Sequence, residues 1–289
     1  MFRNLAIVLR DQGKFSEAAD IYREALPSHL NAWPTDPEKE IRVLADTLLQ
    51  EQKYAEAERL FGDIPPSALP HVPQSVGLLR ARGNFRARRS RFTAAAADYA
   101  QAIEFDPGHP RDWQNLAVLL VESSQLDAYR EHCRKSLNRF RNTTNPTAAE
   151  QIAGHCLLLP ESGIELSVVV ELTNFAASAT NHERIGWFEL AKSLAEYRQD
   201  HFTGAIEWSQ KALARGGVLE REVLTEMVLA MAHRRLMQVD EARRVLGNAL
   251  SKIDKRLPKP DSSDLGPDWS VRLTVRILTR EAKNLIQGD

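Results

Sequence analysis

The segment Ala95-Ala-Ala-Asp-Tyr99-Ala-Gln-Ala102 decides the fold, because its spacing recurs along most of the chain. An alanine is followed four residues later by an aromatic or large apolar residue, and often three residues beyond that by a second alanine. Positions separated by three, four and seven residues share one face of an α-helix. Related copies of the segment begin at Ala18, Ala57, Ala205 and Ala242.

An earlier helix accompanies each copy. The clearest one is Trp113-Gln-Asn-Leu116-Ala117-Val-Leu-Leu120, which follows the helix-ending segment Asp106-Pro-Gly-His-Pro110. Proline disfavours helix in the residue before it and removes a backbone donor, so this segment separates two helices. A small alanine allows two helices to approach closely, and the repeating unit is therefore predicted to be a pair of packed helices.

These residues resemble the tetratricopeptide repeat, whose pattern is Trp-x2-Leu-Gly-x2-Tyr, then Ala-x3-Phe, then Pro, on a 34-residue period. Trp113 and Leu116 match the first half of the pattern, and Ala95, Tyr99 and Pro107 match the second half. The resemblance implies an all-α, right-handed α-solenoid of about seven helix pairs with a C-terminal capping helix.

The array is predicted to occupy residues 1–256, with a degenerate fifth repeat at about 147–180 that keeps helical apolar spacing without the alanine signature. A proline- and serine-rich linker follows at 257–267. Residues 268–289 are predicted to form the helix that covers the last repeat, as solenoids require. The first repeat starts abruptly at Phe2 without a capping residue, which favours a module taken from a longer protein.

Three phrases resemble the C-terminal repeat regions of large bacterial eukaryote-like serine/threonine kinases: 191–213, 230–242 and 268–282. That resemblance implies association with a kinase domain in the same polypeptide and a regulatory or substrate-docking role. Neither the His-Arg-Asp catalytic loop nor Asp-Phe-Gly occurs in this sequence.

Composition narrows the class further. The net charge of −1 over 289 residues gives no general attraction to nucleic acid or to an anionic membrane. No run of about 18 apolar residues is available to cross a bilayer. Two cysteines are too few for a disulfide framework, so a reducing cytoplasm is the expected location.

We predict no catalytic residues, no cofactor and no metal, since phosphate-loop, dinucleotide, zinc-protease and serine-hydrolase motifs are all missing. The pairs His132-Cys133 and His155-Cys156 invite a zinc hypothesis. However, neighbouring residues on a helix point about 100° apart. Both cysteines also lie on apolar helix faces, where a thiol behaves as a small hydrophobe.

The most informative polar feature is a run of six arginines between Arg80 and Arg91, with no acidic residue among them. One interpretation is a solvated basic helix face paired with acids on neighbouring repeats. The other follows from the resemblance, because the first helix of each tetratricopeptide repeat lines the concave groove. The predicted groove residues are Arg3, Arg42, Arg80, Asn84 and Arg88.

The predicted function is a non-catalytic scaffold that binds a protein or peptide in the groove. Because arginine binds carboxylates in a bidentate geometry, an acidic partner is favoured. Two alternatives remain open from the sequence: a docking module of a larger kinase, and a self-associating structural module.

Overall fold

The computed structural model describes residues 2–29, 73–160, 163–256 and 264–288, together with six positions between 45 and 61. Over these residues the chain forms thirteen α-helices and no β-strand, which confirms the predicted all-α class. The helices are α1 Phe2–Asp11, α2 Phe15–His29, α3 Pro73–Arg88, α4 Phe92–Phe105, α5 Pro110–Glu122, α6 Leu126–Phe140, α7 Pro146–Cys156, α8 Leu166–Ser178, α9 Ile185–Arg198, α10 Phe202–Ala214, α11 Leu219–Arg235, α12 Val239–Arg256 and α13 Trp269–Gln287.

The first twelve helices follow one another as pairs, each consisting of a first helix and a second helix joined by a connection. Six pairs lie within the described residues. The predicted second repeat, around Ala57, falls mostly outside them. The predicted fifth repeat corresponds to α7 and α8, whose connection is longer than the three-residue turns of the other pairs.

The short turns inside five of the pairs share one backbone conformation. Each contains a residue with positive φ: Gly13 at 75°, Ser90 at 57°, Ser124 at 59°, Asp200 at 61° and Met237 at 61°. In the α3–α4 turn, the Arg91 amide donates to the Arg86 carbonyl at 2.8 Å and the Ser90 amide donates to the Ala87 carbonyl at 3.0 Å. This paired hydrogen bonding satisfies the last carbonyls of the first helix and fixes where the second helix begins.

The chain divides into two compact units, residues 1–112 and 113–289. In the first unit, the buried core includes Ala6, Ala18, Leu78, Phe85 and Ala102. The α3 and α4 helices pack closely because both present small residues at their contact. A Cβ added to Gly83 would lie 2.9 Å from the ring of Tyr99, so the ring packs directly on the glycine backbone.

In the second unit, first helices of successive pairs contact one another, since α9 packs against both α7 and α11. The second helices α8 and α10 also contact the first helix of the following pair. This arrangement, in which each repeat buries its faces against its neighbours, is that of an α-solenoid. The core is mostly apolar, with Phe188, Ala205 and Met227 fully buried, and it also encloses a few polar side chains such as Ser193 and Ser209.

The C-terminal helix α13 packs mainly against α11 and to a lesser extent against α12. Its apolar face, which includes Trp269, Leu273, Ile277 and Ala282, is buried. The sequence predicts a cap on the last repeat, and the structure shows that α13 also reaches side chains of earlier first helices, as described below.

The burial of Ala95 supports the repeat register, because the side chain is 0% exposed in α4. We expect Ala95→Leu to overpack this contact and to lower the free energy of unfolding by roughly 1–3 kcal/mol. Ala97 lies in the same helix and is exposed, so Ala97→Leu is the matched control. Urea unfolding followed by circular dichroism measures both changes. An equal effect of the two substitutions would show that the register is wrong.

Candidate functional site

The arginine run lies on α3 and in the turn that follows it. Several of its arginines pair with carboxylates, as one of the two interpretations of the sequence predicted, but they are not all solvated. Arg82 is 0% exposed, a rare position for a charged side chain. It faces Asp98 of α4, which is also completely buried. At least one arginine of the run is therefore part of the packed interior of the first unit.

Asp98 accepts hydrogen bonds from two guanidinium groups. Arg82 approaches it in a forked geometry, with Nη2 to Oδ1 at 2.7 Å and Nε to Oδ2 at 3.1 Å. Arg86 donates from Nη1 to Oδ2 at 2.8 Å. Forked guanidinium–carboxylate pairs are stronger and more directional than single hydrogen bonds. This triad holds the two helices of the third predicted repeat in register.

Arg80 lies two residues before Arg82 in α3 and binds two other carboxylates of the first unit. Its Nε donates to Asp112 Oδ2 at 2.7 Å, and its Nη2 donates to Asp106 Oδ2 at 2.9 Å. The hydrogen bond from Arg80 lowers the pKa of Asp106 below its ordinary value. Arg80 thus connects α3 with both sides of the break between α4 and α5.

The remaining predicted groove residues have different surroundings. Arg88 is only 5% exposed and Asn84 is half-buried. The Arg3 side chain and the whole of Arg42 lie outside the described residues. An acidic ligand at Arg80 would have to exchange with Asp106 and Asp112. The basic groove therefore stays a prediction, and the structure adds that the chain's own acids already occupy part of it.

The second unit contains a different candidate surface, formed by the sides of α5, α7, α9 and α11 that face α13. We call it the first-helix surface. Glu122 of α5, with its side chain 2% exposed, pairs with Arg280 and lies 3.5 Å from Arg276 Nη2, both on α13. Arg198 of α9 donates to Glu281 of α13 from Nη2 at 2.7 Å. The surface thus binds an amphipathic helix by burying its apolar face and by two kinds of ion pair. In one the surface contributes the acid, Glu122, and in the other it contributes the base, Arg198.

A cleft lies between α13 and the first helices. Its walls are mostly apolar and include Val118, Leu158, Leu190, Leu194 and Leu278. Glu150 lines the same cleft and is paired with Arg184 at 2.7 Å. Apolar walls with a few fixed polar groups are the usual composition of a recognition surface.

The two cysteines meet in the second unit, between α6 and α7. The donor atoms of Cys133, His155 and Cys156 lie within 4.8 Å of one another, and all three residues are buried. His132 does not join them, because its Nε2 hydrogen-bonds the Trp113 carbonyl at 2.8 Å and its ring stacks on Trp113. Three of the four residues in the two His-Cys pairs therefore converge, and His155 and Cys156 do so although they are adjacent in α7.

Burial controls the ionisation of this cluster. It lowers the pKa of His155 well below the ordinary value, and the neighbouring His132 adds to that shift. It also raises the pKa of the Cys156 thiol well above the ordinary value. Both shifts favour the uncharged forms, a neutral His155 imidazole and a neutral Cys156 thiol.

Comparison with known proteins agrees with this fold. A family model described as a tetratricopeptide repeat matches residues 1–30. The crystal structure of a tetratricopeptide repeat protein from Parabacteroides merdae ATCC 43184 superimposes with a TM-score of 0.52 at 12% identity, covering 94% of this chain and 97% of that chain. Yeast Tom70 gives a TM-score of 0.38 at 12% identity, covering 94% of this chain and 60% of that one. No curated protein matches the sequence.

The described helices and the likeness to the Parabacteroides merdae structure thus define a helical-repeat protein with the tetratricopeptide type of fold. Within the described residues, no helix combines the length and the apolar character needed to cross a bilayer. The charge pairs and the first-helix surface are the features of the described residues that bear on function.

The Arg82–Asp98–Arg86 triad leads to a stability prediction. Asp98→Asn keeps the side-chain shape but leaves two guanidinium groups without their carboxylate. Because the loss of one partner of a buried ion pair is strongly destabilising, we expect a loss of about 3–5 kcal/mol. The control is Asp127→Asn, since Asp127 is 99% exposed and pairs with Arg130 on the surface. Urea unfolding measures both variants, and a small loss at Asp98 would contradict the structural role of the triad.

Proposed function

We propose that this protein is a non-catalytic scaffold that binds a segment of another protein on its helical repeats. The observation that carries the proposal is the seating of α13 on the first-helix surface. A surface that buries the apolar face of one amphipathic helix has the shape and the charges to bind a related helix. Helix-in-groove recognition uses the same physical terms: spaced apolar anchors, with charged pairs that fix orientation.

The contacts around α13 specify the chemistry of the partner. The partner helix presents large apolar residues with the spacing of Trp269, Leu273 and Ile277 on one face. Basic residues follow near its middle, opposite Glu122, and an acidic residue lies opposite Arg198. The pairs at Arg276 and Arg280 are partly exposed and add little affinity, but they select against a helix of the opposite charge pattern.

A peptide competition experiment tests this proposal on the full chain. The probe is a fluorescent peptide of residues 264–288, and the receptor is a variant with Arg276→Glu and Arg280→Glu in its own helix. Glu122 then repels the chain's own helix, so we expect the probe to bind the variant at least tenfold more tightly than it binds wild-type protein. This ratio corresponds to about 1.4 kcal/mol.

A probe that itself carries Arg276→Glu and Arg280→Glu is the matched control and should bind weakly to both proteins. Fluorescence polarisation measures affinity, and circular dichroism checks that the receptor keeps its helices. Absence of binding to a folded receptor would show that the first-helix surface does not accept a helix from outside.

The acidic peptide predicted from the arginine run is a separate proposal for the first unit. An Asp/Glu-rich peptide should bind with an affinity that falls with salt, because ionic screening acts beyond about 8 Å at physiological ionic strength. We expect Arg80→Glu to weaken binding more than Arg91→Glu, since Arg91 lies in the α3–α4 turn and not on the predicted groove wall. Equal losses would reduce the effect to nonspecific charge.

The kinase-tail and self-association hypotheses are distinguished by other measurements. The reading frame upstream of Met1 decides whether a kinase domain precedes the repeats. Light scattering decides whether the mass in solution is that of one 32.6 kDa chain or of two.

A further inference from the structure

The buried cluster of Cys133, His155 and Cys156 has the geometry of a metal site. Its residues come from two helices: Cys133 from α6, and His155 with Cys156 from the end of α7. Zinc in structural sites takes four ligands drawn from thiolates, imidazoles and oxygens. Three ligands of the two types that zinc prefers, thiolate and imidazole, therefore meet at one joint between consecutive repeats.

The distances fit an ion of this size. Three atoms that lie within 4.8 Å of one another share a point no farther than about 2.8 Å from each, whereas zinc bonds sulfur at about 2.3 Å and nitrogen at about 2.0–2.1 Å. An inward movement of each donor by roughly 0.5–0.8 Å or less would satisfy these bond lengths. Rotation of the thiol and imidazole side chains about their χ angles supplies shifts of that size.

The tautomer of His155 is set for ligation. Its Nδ1 lies 3.0 Å from the Gln151 carbonyl, which can only accept, so Nδ1 carries the proton. Nε2 therefore carries the lone pair, and it lies 3.0 Å from Ser136 Oγ. Histidine ligands in metal sites commonly donate their other ring N–H to a backbone carbonyl, which fixes the ring orientation in this way.

Ser136 supplies a fourth ligand atom, a hydroxyl oxygen. Its Oγ lies 3.0 Å from His155 Nε2 and 3.6 Å from Cys156 Sγ, and the residue is completely buried. Ligands around a tetrahedral zinc ion are separated by about 3.3–3.8 Å, as follows from the bond lengths above. Ser136 Oγ, which donates to the Cys133 carbonyl at 2.9 Å, is therefore adjacent to two of the three ligands and would complete the tetrahedron after moving about 0.3 Å away from Nε2.

We propose that Cys133, His155, Cys156 and Ser136 form a structural site for a thiolate-preferring divalent ion, with zinc as the fitting ion. This differs from the sequence-based expectation of no metal. Binding displaces one proton from each thiol, so two protons are released for each ion and charge is balanced by two thiolates. Softer thiolate ligands select zinc over magnesium or calcium.

The position of the site gives the ion a structural role. It would clamp α6 to α7 where the degenerate fifth repeat begins, and that repeat lacks the alanine signature that packs the other pairs. Because the ligands are completely buried, the ion would enter as the chain folds, and binding would be coupled to folding.

The test uses the full chain, unfolded and refolded with reductant and with or without zinc sulfate, then freed of unbound ion by gel filtration. Elemental analysis should give about one zinc ion per chain, and thermal unfolding should occur at a higher temperature in the zinc-loaded protein. Cys133→Ala, Cys156→Ala and His155→Gln should each lose the stoichiometric zinc.

His132→Gln is the matched control, because His132 is an equally buried histidine of the same region that lies outside the ligand set. It should retain the ion. Circular dichroism shows whether each variant folds, so loss of zinc can be separated from loss of structure. Wild-type protein that refolds without retaining zinc would overturn the proposal, as would equal retention by folded Cys156→Ala.

Discussion

The structure depends on the close approach of the two helices in each pair, and that approach requires small residues where the helices meet. Ala95 and Ala205 are completely buried at such positions, and Gly83 lies directly under the ring of Tyr99. A large side chain there would force the helices apart and disturb every contact stacked above them, since protein interiors are close-packed. The positions of the charged pairs and of α13 follow from this spacing, because each is held on a helix whose place is fixed by its neighbours.

The sequence predicted the helical class well, since apolar periodicity is a local property that each helix carries by itself. Ala95, Tyr99, Trp113 and Leu116 are buried as their spacing indicates. The turns were harder to foresee. Ser90, Ser124, Asp200 and Met237 adopt a left-handed conformation that usually favours glycine. Their conformation is imposed by the hydrogen bonds that end one helix and position the next. The identity of the side chain at these positions therefore does not predict the positive φ angle.

The candidate sites were predicted less well, because charge pairing and ligand convergence join residues that are distant in sequence. The signal for Asp98 was present: it lies three residues after Ala95 and therefore on the buried side of α4. An acid at that position, opposite an arginine run, indicates a buried pair. The cluster of Cys133, His155 and Cys156 needed the packing of α6 on α7, which no single-helix pattern contains. Of the two adjacent His-Cys pairs seen in the sequence, only His132 lies outside the cluster, because it hydrogen-bonds the Trp113 carbonyl.

The seating of α13 changes how the second unit should respond to force and to heat. In a simple helical-repeat array only neighbours interact, so the array can unravel from either end one repeat at a time. Here Arg280 bonds Glu122 across 158 residues of sequence, and Glu281 bonds Arg198 across 83. The ion pair of Arg280 with Glu122 connects the last helix with the first helix of the unit, so the intervening repeats are held between two ends that bind each other. Such a unit gains cooperativity at the cost of folding speed, because closing the long loop must wait until the intervening repeats have formed.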